Sequence, residues 1–191
     1  ATFATRNKDL GPASTDNPSD GKTWIGCVFG GGSGYMPYEK ADGSGYDWCR
    51  SAGLVEGNAE VRISGGHILT NVYGGNEYTH VKGKATVKMT GGTIGVPRTL
   101  RQIAEHPLSC YLFGGGKGDQ RFHFDQWTNV GNVVVDVSGG IIYGSVFGGA
   151  EDGHVLGDVS VTIRKGDNFT IGSTTYTNGP IIGTWGTSYV D

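Results

Sequence analysis

The sequence predicts an all-β fold, and within that class a right-handed parallel β-helix, or β-solenoid, of about four coils with loop insertions on one edge. Three observations lead to this prediction. A long alternating strand that ends near glycine occurs four times, a short aromatic strand followed by Gly-Gly also occurs four times, and glycine makes up 36 of the 191 residues. Strand units of this length bury too little apolar surface alone, so they are typical of chains in which stacked repeats share a core.

The long strand is the clearest repeated unit. Its copies read AEVRISGG (59–66), ATVKMTGG (85–92), VVVDVSGG (133–140) and VSVTIRKG (159–166), at intervals of 26, 48 and 26 residues. Apolar residues alternate with polar ones and β-branched residues dominate, which favours strands over helices. The longer middle interval indicates an insertion of 22 residues. After each copy one isoleucine is expected at an equivalent buried position, namely Ile68, Ile94, Ile142 and Ile171.

The second unit is a short aromatic strand. It reads CVFGG (27–31), NVYGG (71–75), LFGG (112–115) and SVFGG (145–149). Glycine permits positive φ and close approach of the backbone, so each pair is predicted to form a tight corner. Segments of very different length follow these corners, at 32–54, 76–80, 116–129 and 150–154. They are expected to project from the same edge, where repeat proteins usually place their binding residues.

The repeats divide the chain into two regions. Residues 1–21 show no periodicity and are rich in Pro, Ser, Asp and Asn, which predicts an irregular N-terminal tail or a cap over the first coil. Residues 22–191 form the predicted β-helix domain. The sequence begins without Met and ends on the strand-like stretch 181–191, and we expect it to be a piece of a longer protein.

Composition and motifs narrow the function classes. The net charge of −3 and the pI near 5.9 argue against a nucleic-acid partner. The sequence contains no run of 18 apolar residues, so it does not predict insertion into a membrane. The sequence contains no nucleophile elbow, P-loop, HExxH or CxxC motif, which favours a role other than catalysis.

Aromatic residues in the insertions are the candidate ligand-binding residues. Flat rings beside planar polar groups suit sugars, and aromatic loop tips also suit protein partners. We expect Trp48 and Trp127 in particular to be exposed. The alternative is that the rings pack into small cores of the loops themselves. The predicted ligand-binding residues are Tyr35, Tyr46, Trp48, Tyr78, Phe122 and Trp127.

One constellation on the long strands offers an alternative, catalytic interpretation. Stacking predicts that Arg62, Lys88 and Asp136 lie about 5 Å apart in a row on the outward face. Uronate-polysaccharide lyases on β-helices use such a surface, with a basic residue to abstract the proton and acidic residues to hold calcium. A ladder of opposite charges is also what the solvent face of any soluble solenoid shows.

No cofactor and no dedicated metal site is predicted. Calcium held by loop carboxylates is left open, and the candidates for it are Asp119, Asp125, Glu151 and Asp152. A disulfide between Cys27 and Cys49 is also left open, and Cys110 is expected to be a buried free thiol.

The repeats have a recognisable resemblance. The units VYGG (72–75) with VKGKATVKMTGGTIG (81–95), and VFGG (146–149) with VLGDVSVTI (155–163), resemble the glycine-rich β-helix repeats of large secreted or surface proteins of gut-dwelling bacteria. The resemblance covers residues 24 to about 185. It implies a secreted or cell-surface location and an adhesin-like or glycan-associated role, and it supplies no catalytic residues.

The sequence therefore predicts a binding module that presents aromatic loops to a glycan or to a partner protein. Two alternatives stay open: a polysaccharide lyase or hydrolase on a β-helix scaffold, and a structural spacer or stalk. Uncapped ends would also allow end-to-end self-association.

Overall fold

A computed structural model describes residues 2–3, 26–97, 110–122 and 127–183. These residues form fifteen strands and no helix. The predicted tail at 1–21 lies outside the described residues except for its strand at Thr2–Phe3. The strands are β1 (Thr2–Phe3), β2 (Val28–Phe29), β3 (Tyr38–Glu39), β4 (Tyr46–Asp47), β5 (Ala59–Ile68), β6 (Val72–Tyr73), β7 (Val81–Ile94), β8 (Leu112–Phe113), β9 (Asn129–Ile142), β10 (Val146–Phe147), β11 (His154–Val155), β12 (Val159–Ile163), β13 (Phe169–Ile171), β14 (Thr174–Tyr176) and β15 (Ile181–Ile182). The all-β prediction is confirmed for this part of the chain.

Two parallel sheets dominate the structure. The larger sheet has the order β1-β5-β7-β9-β11, and β12 and β15 also pair with β9. The smaller sheet has the order β10-β8-β6-β2. The chain alternates between them, since β5, β7 and β9 of the larger sheet are each followed by a short aromatic strand of the smaller one. Each repeat thus adds one strand to both sheets.

The register follows the repeat in the sequence. Val61 pairs with Val87, Val87 with Val135, and Val135 with Val161. Because side chains alternate between the two faces of a strand, this register places the apolar column of every repeat on the same face. The column and its neighbours form one buried cluster that runs through the repeats: Ala59, Val61, Ile63, Ile68, Val72, Val81, Ala85, Val87, Met89, Ile94, Leu112, Val130, Val133, Val135, Val137 and Ile142.

Glycine bends each long strand near its end. Gly66, Gly92 and Gly140 have φ values of 85°, 87° and 97°, and the strand register shifts close to these positions. L-residues with a side chain rarely adopt this conformation, whereas glycine does so readily. The bend turns the last residues of each strand, such as Ile68 and Ile94, into a second short parallel ladder.

The short strands carry a stack of aromatic rings. Successive ring centroids are 4.8 Å apart from Phe29 to Tyr73, 5.2 Å from Tyr73 to Phe113 and 5.0 Å from Phe113 to Phe147. The planes are nearly parallel, with angles between 4° and 13°. Adjacent strands of the smaller sheet therefore contact each other through their aromatic side chains as well as through backbone hydrogen bonds. Phe147, at the end of the stack, is 43% exposed, whereas Tyr73 and Phe113 are buried.

The last repeat departs from the prediction. Ile171 was expected to be equivalent to Ile142, but Ile182 of β15 is the residue that pairs with Ile142. Ile171 belongs instead to an antiparallel hairpin of β13 and β14, in which it pairs with Thr174. The hairpin is inserted between β12 and β15, so the chain rejoins the larger sheet only at β15. No helix in the described part of the chain is long and apolar enough to cross a membrane.

Candidate functional site

The insertions begin side by side. The backbone N–H of Gly31 donates to the carbonyl of Gly75 at 3.1 Å, that of Gly75 to Gly115 at 3.0 Å, and that of Gly115 to Gly149 at 2.9 Å. The pairing continues into the insertions, where the N–H of Tyr78 donates to the carbonyl of Ser33 and others follow in the next repeats. The hydrogen bonds between repeats therefore hold the starts of all four segments at one edge, which we call the insertion edge.

Four of the six predicted ligand-binding residues meet in one aromatic chain at this edge. Tyr78 stacks on Trp127 at 5.9 Å with an interplanar angle of 6°. Phe122 contacts Trp127 edge-on at 5.8 Å, and Tyr46 contacts Phe122 edge-on at 5.2 Å. The chain joins the first, second and third insertions, so these loops support one another.

The expectation that Trp127 is exposed is wrong. Trp127 is 1% exposed and lies beneath the rings of Tyr78 and Phe122. A large ring gains more from burial and stacking against neighbouring aromatics than from solvent contact, so the third insertion folds back over it. Tyr46 is the exposed end of the aromatic chain, at 50%.

Trp48 lines a groove of about 770 Å³ between the first insertion and the edges of the second, third and fourth repeats. The guanidinium carbon of Arg50 lies 4.1 Å from the centre of the Trp48 ring, and Arg50 also pairs with Asp47 at 3.0 Å. The cation over the ring fixes one side of the groove. The residues that line the groove are Trp48, Arg50, Ser51, Leu54, His80, Val81, Lys82, Asn129, Gly131 and Leu156.

His80 supplies the groove with a neutral donor. Burial, and then the charges of Lys82 and Arg50, lower the pKa of His80. The ring is therefore neutral at physiological pH. Its Nδ1 accepts the backbone N–H of Asn129 at 3.1 Å, so the proton is assigned to Nε2. The groove combines an indole face, aliphatic side chains and polar groups of both hydrogen-bonding types.

Of the residues that line the groove, only Trp48 is predicted from the sequence, and it is half-buried and not fully exposed as expected. Arg50 lies two positions after Trp48 in the same insertion, a local signal for the cation–ring pair. His80, Asn129 and Leu156 come from three later repeats. No local pattern marks them, because only the stacking of the repeats brings them to the first insertion.

Tyr35 lies apart from the groove lining and the aromatic chain. It is 68% exposed, consistent with an exposed loop residue. Tyr38 and Tyr46, on the antiparallel hairpin of β3 and β4, are also at least half exposed. The first insertion therefore presents its tyrosines to solvent while its Trp48 turns toward the repeats.

The row of Arg62, Lys88 and Asp136 is present as predicted. Arg62 pairs with Lys88, and Lys88 with Asp136, in adjacent strands. Each side chain is engaged in an exposed ion pair: Arg62 and Lys88 with Glu60 at 2.9 and 3.5 Å, and Asp136 with Arg164 at 2.9 Å. This row has the character of a charged solvent face.

The carboxylates considered for calcium have partners of other kinds. Asp119 forms an ion pair with Arg121 at 2.8 Å, and the carboxylate of Glu151 accepts the hydroxyl of Tyr73. Asp125 lies outside the described residues, and Asp152 joins Gly118 in an isolated parallel bridge. Among the described residues no group of three or more His, Cys, Asp or Glu side chains is placed to hold a metal ion.

The three cysteines are free thiols. Cys27 lies 3.1 Å from the hydroxyl of Thr70, and burial raises the pKa of its thiol. Cys49 is half-buried beside Ser51 in the first insertion. The disulfide left open by the sequence is absent from the structure, and Cys110 is buried as expected.

Glu151 is the most unusual carboxyl at this edge. Burial raises its pKa above the ordinary 4.5, and its hydrogen bond from Tyr73 only partly offsets that effect. A folded-state pKa above the unfolded value means that the folded protein binds the proton more tightly. Protonated Glu151 therefore contributes stability that is fully present below the pKa of the unfolded state. This contribution is lost as the pH rises through the higher pKa of the folded state.

Glu151→Gln removes this titration. We expect the stability of the variant, relative to the wild type, to increase as the pH rises from 4 to 7. The reason is that the amide cannot acquire the buried negative charge that the wild-type carboxyl acquires over this range. Urea unfolding followed by tryptophan fluorescence at both pH values measures the difference. Glu39→Gln, at an exposed position of β3, is the matched control and should show no such gain. An equal stability difference between Glu151→Gln and the wild type at both pH values would contradict the prediction.

Comparison with known proteins returned no match: no protein-family model, no curated protein and no solved structure is significantly similar to this chain.

Proposed function

We propose that the two parallel sheets wind into a right-handed parallel β-helix of about four coils. The support is the alternation of the chain between the sheets, the constant register of Val61, Val87 and Val135, and the buried cluster that runs through the first three long strands. Parallel strands joined by a crossover are right-handed in about 98% of cases. A crystal structure tests this directly, and a left-handed path or two unconnected layers would overturn it.

On this scaffold we propose a secreted or cell-surface binding module that takes a glycan in the groove beside Trp48. The observation that carries the proposal is the groove of about 770 Å³, which one insertion forms against three later repeats. This volume lies within the range of about 300–1,000 Å³ that is usual for ligand sites. It is large enough for a short oligosaccharide.

The chemistry of the lining favours a sugar. A sugar ring offers a C–H face, which stacks on an indole, and hydroxyl groups, which need both donors and acceptors. Trp48 supplies the ring, while Arg50, His80 and Asn129 supply polar groups around it. Arg50 and Lys82 also bring two cations to the groove, paired with Asp47 at 3.0 Å and with Glu56 at 2.9 Å. A uronate carboxylate can take the place of either partner, so acidic sugars are tested beside neutral ones.

Trp48→Ala is expected to weaken glycan binding at least tenfold, equivalent to about 1.4 kcal/mol. A glycan array with neutral and uronate-containing oligosaccharides identifies the ligand, and calorimetry then compares the variant with the wild type. Tyr35→Ala is the matched control, because it removes an exposed ring of the same insertion outside the groove lining. Calcium is included and omitted, so that any part played by the loop carboxylates is measured separately.

Any other result of this binding experiment points to a different function. If Tyr35→Ala weakens binding and Trp48→Ala does not, the exposed tyrosines form the binding surface and the groove proposal fails. If no glycan binds, a partner protein or a purely structural role replaces it. The burial of Trp127 favours that structural role for the third insertion, because its aromatic rings hold the loops together.

The lyase or hydrolase alternative has less support. Arg62, Lys88 and Asp136 lie in adjacent strands, but their side chains form ion pairs with Glu60 and Arg164 instead of converging on one point. The same array hits, incubated with the protein and analysed for shortened or unsaturated products, would detect such an activity.

A further inference from the structure

Strand β12 leaves an apolar strip uncovered at the end of the larger sheet. Val159, Val161 and Ile163 are 47%, 43% and 53% exposed. Their register partners in β9 are Val133, Val135 and Val137, which are at most 1% exposed. These three side chains thus belong to the core column of the repeats, but no later strand covers them in the described part of the chain. Soluble proteins normally protect such an edge with charges, proline or a covering loop.

The backbone of β12 is available as well. The N–H of Val133 donates to the carbonyl of Asp158, and the N–H of Arg164 donates to the carbonyl of Val137. In a parallel pair, alternate residues direct both backbone groups to the same neighbour. The even-numbered residues from Asp158 to Arg164 therefore face β9. Val159, Val161 and Ile163 direct their N–H and C=O groups toward the uncovered side.

The apolar column is covered at the opposite end of the sheet. Ala59, Val61 and Ile63, the equivalent residues of the first long strand, are only 6–7% exposed. A copy of the chain cannot dock its β12 onto that end in a head-to-tail manner without displacing what buries these side chains. Among the long strands that the structure describes, β12 is the one with an uncovered apolar column, so β12 of a second copy is the partner that matches it.

We propose that two copies of this chain pair through β12 as antiparallel strands, related by a two-fold axis at Val161. Val161 then faces Val161 of the second copy, and Val159 faces Ile163 of the second copy. All of these residues direct their backbone groups outward, so they form the hydrogen-bonded pairs of an antiparallel ladder. A two-fold contact of this kind uses the same surface on both partners and closes on itself.

The polar face of β12 is complementary to itself in the same register. Asp158 and Arg164 stand three residues before and three residues after Val161. The two-fold axis therefore places Asp158 of one copy opposite Arg164 of the other, twice. Ser160 meets Thr162 of the second copy between these pairs, so hydroxyl groups face hydroxyl groups. Opposite charges directly across an antiparallel pair stabilise it, whereas like charges destabilise it.

The test is sedimentation velocity on the full chain at concentrations from about 1 to 200 μM, with three charge variants. We expect the wild type to form a dimer and no larger species. Asp158→Arg and Arg164→Asp, taken singly, each place like charges across the interface and should raise the dimer Kd at least tenfold. The double variant D158R/R164D restores opposite charges and should recover dimerisation.

The double variant separates the contact between copies from the contact within one copy. Arg164 also pairs with Asp136 of its own chain at 2.9 Å, and that pair is lost in Arg164→Asp and in the double variant alike. Recovery in the double variant therefore reports the interface alone. A wild type that stays monomeric, one that grows into longer oligomers, or a double variant that fails to recover would each overturn the proposal. The proposal is independent of ligand binding in the groove.

Discussion

Trp127→Ala is expected to lower the free energy of unfolding by about 3–5 kcal/mol, as is usual for a buried tryptophan replaced by alanine. Trp127 is 1% exposed and contacts the rings of Tyr78 and Phe122. Its removal leaves a cavity that neither neighbour can fill, since both rings belong to loops anchored at the insertion edge. The second and third insertions would lose their common support.

Trp48→Ala is the matched control for that prediction. Trp48 is half-buried in the first insertion and lines the groove, so we expect its removal to cost about 1 kcal/mol of stability and most of the ligand binding. Urea unfolding followed by far-UV circular dichroism compares both variants without depending on the lost fluorophore. Equal denaturation midpoints for the two variants would show that Trp127 does not hold the insertions together.

The repeat architecture was accessible from the sequence because spacing and alternation together fix the register. The predicted row of Arg62, Lys88 and Asp136 is confirmed in adjacent strands. A shift of one residue would turn every core valine to solvent, so only one pairing of the long strands buries the apolar column. Where the sequence repeats without interruption, the alternation of apolar residues and the packing of the core require the same register between the long strands.

The errors occur where contacts cross between insertions. The aromatic content of the third insertion did not show that Trp127 would fold beneath Tyr78, because its partner lies 49 residues earlier in the chain. The alignment of Ile171 failed because a hairpin interrupts the last repeat, and Ile182 takes the expected place. The groove was missed for the same reason, since its walls come from several repeats that only stacking brings together.

Gly75→Ala tests whether the repeats stack in van der Waals contact at the Gly-Gly corner. A methyl group on Gly75 would lie 2.7 Å from Cγ2 of Val130, 2.8 Å from the backbone nitrogen of Gly116 and 3.0 Å from the carbonyl carbon of Gly115. Two of these atoms belong to the backbone of the next repeat and cannot rotate away. We expect a loss of about 3 kcal/mol in the free energy of unfolding, measured by urea denaturation.

Gly149→Ala is the decisive comparison, because Gly149 occupies the same column one repeat beyond Gly115. Its carbonyl accepts the N–H of Gly115 at 2.9 Å, yet a methyl group on Gly149 would meet nothing within 4 Å. The same substitution is therefore expected to change stability by less than about 0.5 kcal/mol. The difference between the two variants measures what a following repeat adds at the corner. Comparable losses in both variants would mean that another part of the protein covers the last repeat, and the uncovered β12 would then lose its role as a docking strand.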